Sequence, residues 1–449
     1  MFYGIFRAFL GLTLSIFYRR IEAPGLEAVP REGPLLIVAN HGNALLDPVL
    51  LLKLVPRRIS FLAKHTLFPM PVIGFFLKAI GGIPVYRRQD DPGQASRNAG
   101  MLEACREVLA RGGAISVFPE GKSHDRPRLE PLRSGAARIY FRAAGAERGP
   151  ARVLPVGINY EQKGSFRSRV LVLFGPPVPA EDLIPLEAAE PGKGAEELMR
   201  RIEISLRALV PGVETWEELE FIREIQHLYL GYRERSLARE AWTLRRFLDG
   251  YRRLQEIDPV ATLAVRRRWE AYRRLLRRFS ITESEVELAA APRRALRFLL
   301  QSAAFALLVL PLAALGAFVH FLPYRACGWF ERRLSRDPDM AATIKWIAGI
   351  ALFLLTYLFV GAAAFLVGGP GAALVCIVVI PASGWAALRV AENQQRLAQS
   401  ARALRLALPG GHALERIRRE RAGILDDVAA LARKLPVDGE GGVRPPAGP

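Results

Sequence analysis

Cysteine is scarce in this chain, whose 449 residues include three: Cys105, Cys327 and Cys376. Because they are odd in number and far apart, the sequence does not indicate a disulfide framework, and a reducing compartment fits this pattern. Cys105 falls in a predicted helix over residues 94–111, which favours packing of its thiol over nucleophilic attack. No Gly-x-Ser-x-Gly sequence is present, so the usual nucleophile elbow of serine hydrolases is absent.

Acidic residues are fewer than basic ones. The chain has 63 Lys and Arg against 44 Asp and Glu, a net charge of +19. Such a charge indicates an anionic partner, and nucleic acid and anionic lipid satisfy it equally well. Long apolar stretches favour lipid, so we expect a phospholipid membrane as partner and no nucleic acid. The mixture of Tyr and Arg in residues 195–292, which some RNA-binding surfaces share, is read as the solvated faces of basic helices.

Three apolar stretches, residues 298–321, 346–367 and 371–388, are long enough or nearly long enough to cross a bilayer, which takes about 20 helical residues. They define a membrane-embedded region over residues 298–388. The glycines of residues 368–371 predict a tight hairpin between the last two. Two topologies are open: three crossings, or a first segment that bends near Pro311 and returns. The second keeps all flanking arginines on the cytoplasmic side and is favoured.

Residues 1–20 predict an amphipathic helix lying in the membrane interface. A signal peptide is disfavoured because Arg7 interrupts the apolar stretch, whereas a buried amphipathic helix stays open as an alternative. The expected apolar face comprises Phe2, Phe6, Phe9, Leu10, Ile16 and Phe17, and the opposite face Gly4, Arg7, Gly11 and Ser15.

Other boundaries follow from helix signals and composition. Residues 195–292 predict a basic helical region, in which Asp258-Pro259 and the capping box Ser284-x-x-Glu287 mark helix starts. A cytoplasmic helix is expected over residues 389–435. Residues 436–449 are rich in Gly and Pro and predict a disordered tail.

One histidine stands out at the end of an apolar run. Leu35–Ala39 predicts a buried strand, and His41 falls in the loop that leaves it. Asp47 precedes a proline and is expected to cap the next helix. Six residues correspond to roughly 240° around a helix, so the loop must bring the two side chains together. Asp47 could then accept from one imidazole nitrogen, leaving the other free to take a proton from an alcohol.

Two further segments place polar residues at predicted strand ends. Residues 114–118 predict a strand followed by a polar loop over residues 119–127, and residues 82–87 end a third apolar segment on Arg87. Ligands of α/β sheets bind where such strand ends converge. We therefore expect the imidazole, Arg87 and Glu120 to share one site.

At these residues the chain resembles the phospholipid/glycerol acyltransferase superfamily, whose members acylate glycerol phosphates and lysophospholipids from thioester donors. The resemblance covers about residues 20–180 and implies an α/β acyltransferase domain over residues 21–185, with a mixed sheet flanked by helices, followed by an all-α region and C-terminal membrane helices. Four motifs carry it in order: His41 with Asp47, the segment ending at Arg87, Phe118 to Gly121, and Leu154 to Val156.

Two departures narrow the resemblance. Five residues separate His41 from Asp47 where most members have four, and Lys122-Ser123-His124 stands where the family has Thr-Arg-Ser. Both departures resemble the fungal-type acyltransferases that act on glycerol 3-phosphate and dihydroxyacetone phosphate. The expected acceptors are therefore glycerol 3-phosphate first, dihydroxyacetone phosphate second and lysophosphatidic acid third, in phospholipid biosynthesis. The expected donor is acyl-CoA or acyl carrier protein, with no other cofactor and no metal.

The resemblance implies roles for individual residues. His41 is expected to be the general base and Asp47 to orient it, while backbone N–H groups near Gly42 or Gly121 could stabilise the oxyanion. Residues expected to bind the substrate are Arg87, Glu120, Gly121, Lys122, Arg126 and Arg133.

Two alternatives belong to other classes. His41, Asp47, Glu120, His124 and Asp125 could ligate a divalent metal and give a hydrolase instead. An inactive lipid-binding relative would keep the fold without turnover. Metal analysis and an assay of acyl-CoA turnover separate these readings.

Overall fold

The structure is a computed structural model that describes residues 2–86, 98–145, 148–231, 236–335, 337–407 and 412–435. Arg87 and the predicted tail, residues 436–449, lie outside this part of the chain. The chain divides into two compact units. The first comprises Met1–Trp216 and Arg333–Trp346, and the second comprises Glu217–Arg332 and Ile347–Pro449.

A mixed sheet forms the centre of the first unit, as the sequence predicts. Its strands follow the order β1-β7-β6-β2-β5-β3-β4, and every described pair is parallel except β6 with β7. The strands are β1 (Arg20–Glu22), β2 (Leu35–Ala39), β3 (Ile59–Lys64), β4 (Ile83–Val85), β5 (Ala114–Val117), β6 (Arg152–Tyr160) and β7 (Arg169–Phe174).

The register of the central strands sets the position of the loops. All five residues of β2 are buried, as a continuous apolar run at the centre of a sheet requires. Val38 near its end pairs with Val117 of β5 on one side and with Pro155 of β6 on the other. The loops after β2 and β5 therefore leave the same edge of the sheet.

The described α-helices that lie wholly within this unit are α1 (Phe2–Phe17), α2 (Leu46–Leu54), α3 (Pro71–Ala79), α4 (Asn98–Ala110), α5 (Gly135–Ala143), α6 (Leu183–Ala189) and α7 (Lys193–Arg207). Side chains of α4, α5 and α7, among them Cys105, Tyr140 and Leu198, form one core with Leu36 and Val38 of β2. Burial raises the pKa of the Cys105 thiol to about 12, which agrees with a packing role.

Helix α1 meets the protein through the face that was predicted to be polar. Arg7 donates to the carbonyl oxygens of Lys53 and Val55, and Lys53 donates to Gly11 O at 2.8 Å and Ser15 Oγ at 2.7 Å. The predicted apolar face is therefore wrong in part, because Leu10 and Phe17 are buried in the protein. The exposed apolar stripe of α1 consists of Ile5, Phe9, Leu12 and Ile16, which follow one another at three or four residues, about one helical turn.

The second unit is helical. Its helices are α8 (Trp216–Leu230), α9 (Leu237–Ile257), α10 (Pro259–Arg278), α11 (Glu283–Ala289), α12 (Pro292–Leu334), α13 (Ala341–Leu406) and α14 (His412–Ala432), of which α8, α12 and α13 begin or end in the first unit. Asp258 caps α10 as predicted, accepting from Ala261 N at 2.9 Å. The predicted capping box at Ser284 is wrong by two residues, since Thr282 and Glu285 form it. The helix expected over residues 389–435 is divided between the end of α13 and α14.

The buried glutamates of α11 are ion-paired. Glu285 accepts from Arg402 Nε at 2.6 Å and Glu283 from Arg421 Nε at 2.6 Å. Burial nevertheless raises the pKa of Glu283, against the lowering effect of its hydrogen bonds to Tyr272 and Arg421. These pairs join α11 to α13 and α14.

Two described helices, α12 and α13, are long and apolar enough to cross a membrane. Helix α12 continues through Pro311 and Pro323 without a non-helical residue, so the fold-back expected near Pro311 is wrong. Helix α13, by contrast, is broken at Gly369, where φ is 71°. His320 Nε2 lies 3.1 Å from the hydroxyl of Tyr357, and a Cβ on Gly384 would lie 2.8 Å from the same ring. An unbroken helix would separate Tyr357 from Gly384 by about 40 Å. The chain therefore folds back at Gly369, which confirms the predicted hairpin.

Candidate active site

The loop after β2 brings His41 and Asp47 together. The Nδ1 atom of His41 lies 2.9 Å from Oδ2 of Asp47, whose side chain is fully buried. Asp47 is not the helix cap that the sequence predicts. It lies within the first turn of α2, and its carboxylate points back to the loop.

Three donors hold the Asp47 carboxylate. Besides His41, the backbone N–H of Asn43 donates to Oδ2 at 2.7 Å, and the hydroxyl of Tyr160 donates to Oδ1 at 2.5 Å. Burial and the negative charge of Asp47 raise the pKa of Tyr160 well above its usual value, so this phenol stays protonated and remains a donor. Charge-assisted bonds of this kind fix a carboxylate in one orientation. Sequence reasoning missed Tyr160, which lies 113 residues from Asp47.

Asn40 fixes the point where the loop leaves the sheet. Its side-chain amide donates to Ile158 O at 3.0 Å and accepts from Ile158 N at 2.7 Å. This pair continues the β2–β6 ladder by one further step. The start of the catalytic loop is thereby anchored to β6, the strand that ends in Tyr160.

The His41 ring is held on one face and open at one nitrogen. It stacks on Phe118 with ring centroids 4.2 Å apart, and its side chain is 12% exposed. Within the described part of the chain, no hydrogen-bond partner is present for Nε2. With Nδ1–H donated to Asp47, Nε2 carries the lone pair that can accept a proton.

Glu120 connects the loops that follow β2 and β5. Its buried carboxylate accepts from the backbone N–H of His41 at 2.7 Å and of Glu130 at 3.1 Å, and also from the ring of His124. The Nδ1 atom of His124 accepts from Arg126 N at 3.2 Å, which leaves Nε2–H as the donor to Glu120. Glu120 thus fixes His41 through its main chain. Its predicted role in acceptor binding stays a prediction.

Gly121 permits a close approach that another residue would prevent. Its φ is 75°, and a Cβ at this position would lie 2.9 Å from Cδ and Nε of Arg133. Positive φ is costly for residues with a side chain. The glycine therefore allows the Arg133 side chain to lie directly against the backbone of this loop.

The predicted cationic residues lie in or beside the loop after β5. Lys122, Arg126 and Arg133 are exposed, and Arg126 pairs with Glu130 at 3.1 Å. Arg87 lies outside the described residues. Positive side chains at the edge of a sheet suit a phosphate group, because guanidinium forms paired hydrogen bonds to its oxygens.

Lys163, which the sequence did not reveal, lies in the loop after β6. It donates to the carbonyl oxygen of His124 and lies 3.2 Å from Asp125 Oδ1. A Cβ on Gly42 would lie 3.7 Å from its Cε atom. This cation therefore joins the loops after β2, β5 and β6.

A segment distant in sequence also reaches these loops. Residues 333–346 belong to the same compact unit, and the Asp339 carboxylate accepts a hydrogen bond from Ser123. No sequence signal pointed to this contact. No group of three or more His, Cys, Asp or Glu close enough to hold a metal ion occurs in the described part of the chain.

Comparison with known proteins places an acyltransferase domain in this chain. Residues 20–159 match the family model named Acyltransferase. Glycerol-3-phosphate O-acyltransferases 1 and 2 of Saccharomyces cerevisiae are 26% and 22% identical over 366 and 354 residues, which cover 61% and 55% of this chain and 48% of each relative. A chloroplastic 1-acyl-sn-glycerol-3-phosphate acyltransferase of Arabidopsis thaliana is 30% identical over 159 residues, 34% of this chain and 43% of that protein.

The crystal structure of the acyltransferase PlsC from Thermotoga maritima matches with 20% identity and a TM-score of 0.32, over 44% of this chain and 75% of that one. The chain spans about half the length of the yeast relatives it matches. The match of residues 20–159 to the family model confirms, for that part of the chain, the resemblance read from the four motifs.

Proposed function

We propose that this protein is a membrane-bound O-acyltransferase that moves a fatty acyl group from a thioester to glycerol 3-phosphate in phospholipid biosynthesis. One observation carries the proposal: His41 Nδ1 lies 2.9 Å from the buried Asp47 carboxylate, inside a domain that matches an acyltransferase family. The yeast relatives named glycerol-3-phosphate O-acyltransferases support this choice of acceptor.

In the proposed reaction, His41 Nε2 takes the proton of the acceptor hydroxyl as its oxygen attacks the thioester carbonyl carbon. The carbon–sulfur bond then breaks, and the thiolate takes up the proton that His41 held. The negative charge of Asp47 stabilises the imidazolium between these two steps. A positioned general base of this kind contributes roughly 10² to 10⁴-fold in rate.

The oxyanion that develops during attack needs a donor. The N–H of Gly121 donates to Phe118 O at 3.0 Å, so it is already used within its turn. The backbone N–H of Gly42, next to the base, is therefore our candidate donor.

The acceptor phosphate is assigned to the exposed cations around the loop after β5. Lys122, Arg126 and Arg133 are the described candidates, and Arg87 completes the set as the sequence predicts. Glu120 would support this site indirectly, because it accepts hydrogen bonds from both His41 and His124 and holds them in place. The co-substrate is acyl-CoA or acyl carrier protein, with no metal or other cofactor.

Lysophosphatidic acid and dihydroxyacetone phosphate are the alternative acceptors. The chloroplast relative, named an acyltransferase of 1-acyl-glycerol 3-phosphate, supports the first, and the fungal-type loop sequence supports the second. An assay of the purified full chain with one radiolabelled acyl-CoA and each acceptor in turn decides among them. Absence of turnover with every acceptor, in protein that is folded, would leave a lipid-binding protein.

His41→Ala tests the proposed mechanism. We expect loss of acyl transfer by at least about 100-fold in protein that remains folded, because the alanine leaves the Asp47 carboxylate its two other donors, Asn43 N and the Tyr160 hydroxyl. His227→Ala is a matched control, since this histidine lies in α8, in the second unit. Near-normal turnover of His41→Ala would end the assignment of His41 as the base.

The two apolar helices associate the protein with a membrane. We further propose that the catalytic unit lies on the cytoplasmic face and that both ends of α12 lie on that face. Residues 333–346 belong to the catalytic unit, so α12 ends on the catalytic side. Between α7 and α12, the described residues include no helix that meets the length and hydropathy of a span, so α12 also begins there.

Labelling with a membrane-impermeant maleimide tests this topology. In a chain whose native cysteines are replaced, Ser335→Cys should react only when the reagent reaches the cytoplasmic face. A cysteine introduced in α14 should behave in the same way, because the hairpin at Gly369 returns the chain to its starting side. Labelling of either site from the opposite face would overturn the proposal.

A further inference from the structure

The segment between the two apolar helices contacts three active-site loops. We call residues 337–345 the interhelical strap. Its contacts with the loop after β2 come from two residues. Asp339 O accepts from Ala44 N at 3.4 Å, and the hydroxyl of Thr343 accepts from Leu45 N at 3.3 Å.

The strap also reaches the loops after β5 and β6. The Asp339 carboxylate accepts from the Ser123 hydroxyl, next to His124. Lys345 Nζ donates to Gly164 O at 2.9 Å, in the loop that carries Lys163. A short piece of chain therefore bridges the three loops around the His41 ring.

One contact leads directly to the dyad. The hydroxyl of Thr343 lies 3.4 Å from Oδ1 of Asn43, and both residues are buried, 3% and 0% exposed. The backbone N–H of the same Asn43 is a donor to the Asp47 carboxylate. The position of Thr343 therefore influences where Asn43 can hold Asp47, and through Asp47 the direction in which His41 Nε2 points.

We propose that Asp339 and Thr343 are positioning residues for the His41–Asp47 dyad, so that a turn next to the membrane helices is part of the active site. The inference rests on the acyl transfer proposed above and adds to it. Neither side chain is assigned a contact with substrate. Small displacements of a base relative to its substrate reduce turnover strongly, and this is how loss of the strap contacts should act.

The same helix α13 that begins in the strap continues into the apolar hairpin. Anchoring of this hairpin in the bilayer therefore also anchors the strap. A purely mechanical link to the membrane would not require the polar contacts of Thr343 and Asp339. Removing those contacts therefore distinguishes a positioning role of the strap from a mechanical link to the membrane.

The experiment uses the full chain in lipid nanodiscs, with kcat and KM measured for acceptor and donor. Thr343→Val keeps the shape of the side chain and removes its hydroxyl, whereas Thr343→Ser restores the hydroxyl. Asp339→Ala removes the acceptor for Ser123, and Asp339→Asn keeps an oxygen there. Asp337→Ala is the matched control, because this exposed aspartate of the same segment loses equal charge.

We expect Thr343→Val and Asp339→Ala to lower kcat about 10- to 100-fold while each KM changes less than about twofold. Thr343→Ser and Asp339→Asn should recover most of the rate, and Asp337→Ala should match the wild type. In a double-mutant cycle, Asp339→Ala should add little to Ser123→Ala, because both remove one contact. A kcat within twofold of wild type for Thr343→Val and Asp339→Ala would overturn the proposal, as would an equal loss in Asp337→Ala.

Hydrogen exchange gives a readout that needs no turnover. The amides of Ala44 and Leu45 donate to the strap, so Thr343→Val should speed their exchange while the peptide covering β2 stays protected. Unchanged exchange of these amides would by itself refute the positioning role proposed for the strap. If the wild type transfers no acyl group, the proposed function fails. The hydrogen-exchange measurement still tests whether the strap holds the loop after β2.

Discussion

Tyr160→Phe is the most direct test of how the base is held. The substitution keeps the ring and removes one of three donors to Asp47, a hydrogen bond of 2.5 Å between buried groups. Hydrogen bonds to charged groups contribute about 1.5–3 kcal/mol. If half of that upper value orients His41 in the transition state, kcat falls by about 10-fold, since 1.4 kcal/mol corresponds to a factor of ten. The free energy of unfolding should fall by about 1–3 kcal/mol, because one Asp47 oxygen loses its partner.

The assay is steady-state acyl transfer by the purified full chain, together with thermal unfolding. Tyr140→Phe is the matched control, because its hydroxyl is buried in the core around α5 and has no hydrogen-bond partner among the residues that the structure describes. We expect Tyr140→Phe to keep the wild-type kcat. Equal rates for Tyr160→Phe and the wild type, at an unchanged KM, would refute the argument that Tyr160 orients the dyad through Asp47.

Three further predictions concern other parts of the molecule. Gly121→Ala should lower kcat at least about tenfold, because φ of 75° strains an alanine and its Cβ would displace the Arg133 side chain. Gly135→Ala, at a position with open space, should keep the wild-type rate, and equal rates for the two variants would contradict this prediction. Leu12→Glu places a charge in the exposed apolar stripe of α1, where Leu12 is 61% exposed, and should weaken acyl transfer more than it weakens binding of the protein to anionic vesicles, because α12 and α13 still anchor the chain. Unchanged turnover would contradict a contact of α1 with the membrane surface. Cys105, whose thiol pKa burial raises to about 12, should react with iodoacetamide at pH 8 about 1000-fold more slowly in the folded protein than in urea, because the raised pKa lowers the fraction of reactive thiolate. Fast labelling of Cys105 in the folded chain would show that the thiol is not buried.

The sequence alone determined the elements whose signals are local. The strand Leu35–Ala39 has the bounds that its apolar run predicts, because a proline and an asparagine limit it on either side. Asp258 caps its helix for a similar reason, since both the cap and the following proline act on neighbouring backbone. The pairing of His41 with Asp47 was also within reach, because only six residues separate them.

Only the tertiary structure decided which distant groups complete the site. Tyr160 meets Asp47 because β2 and β6 are neighbours in the sheet, and Thr343 meets Asn43 across 300 residues of sequence. Periodicity likewise predicts an amphipathic α1, but it does not decide which side meets the protein, since Lys53 supplies the partners that draw Gly11 and Ser15 inward. Hydrogen bonds between segments depend on the register and order of strands, which local sequence patterns do not encode.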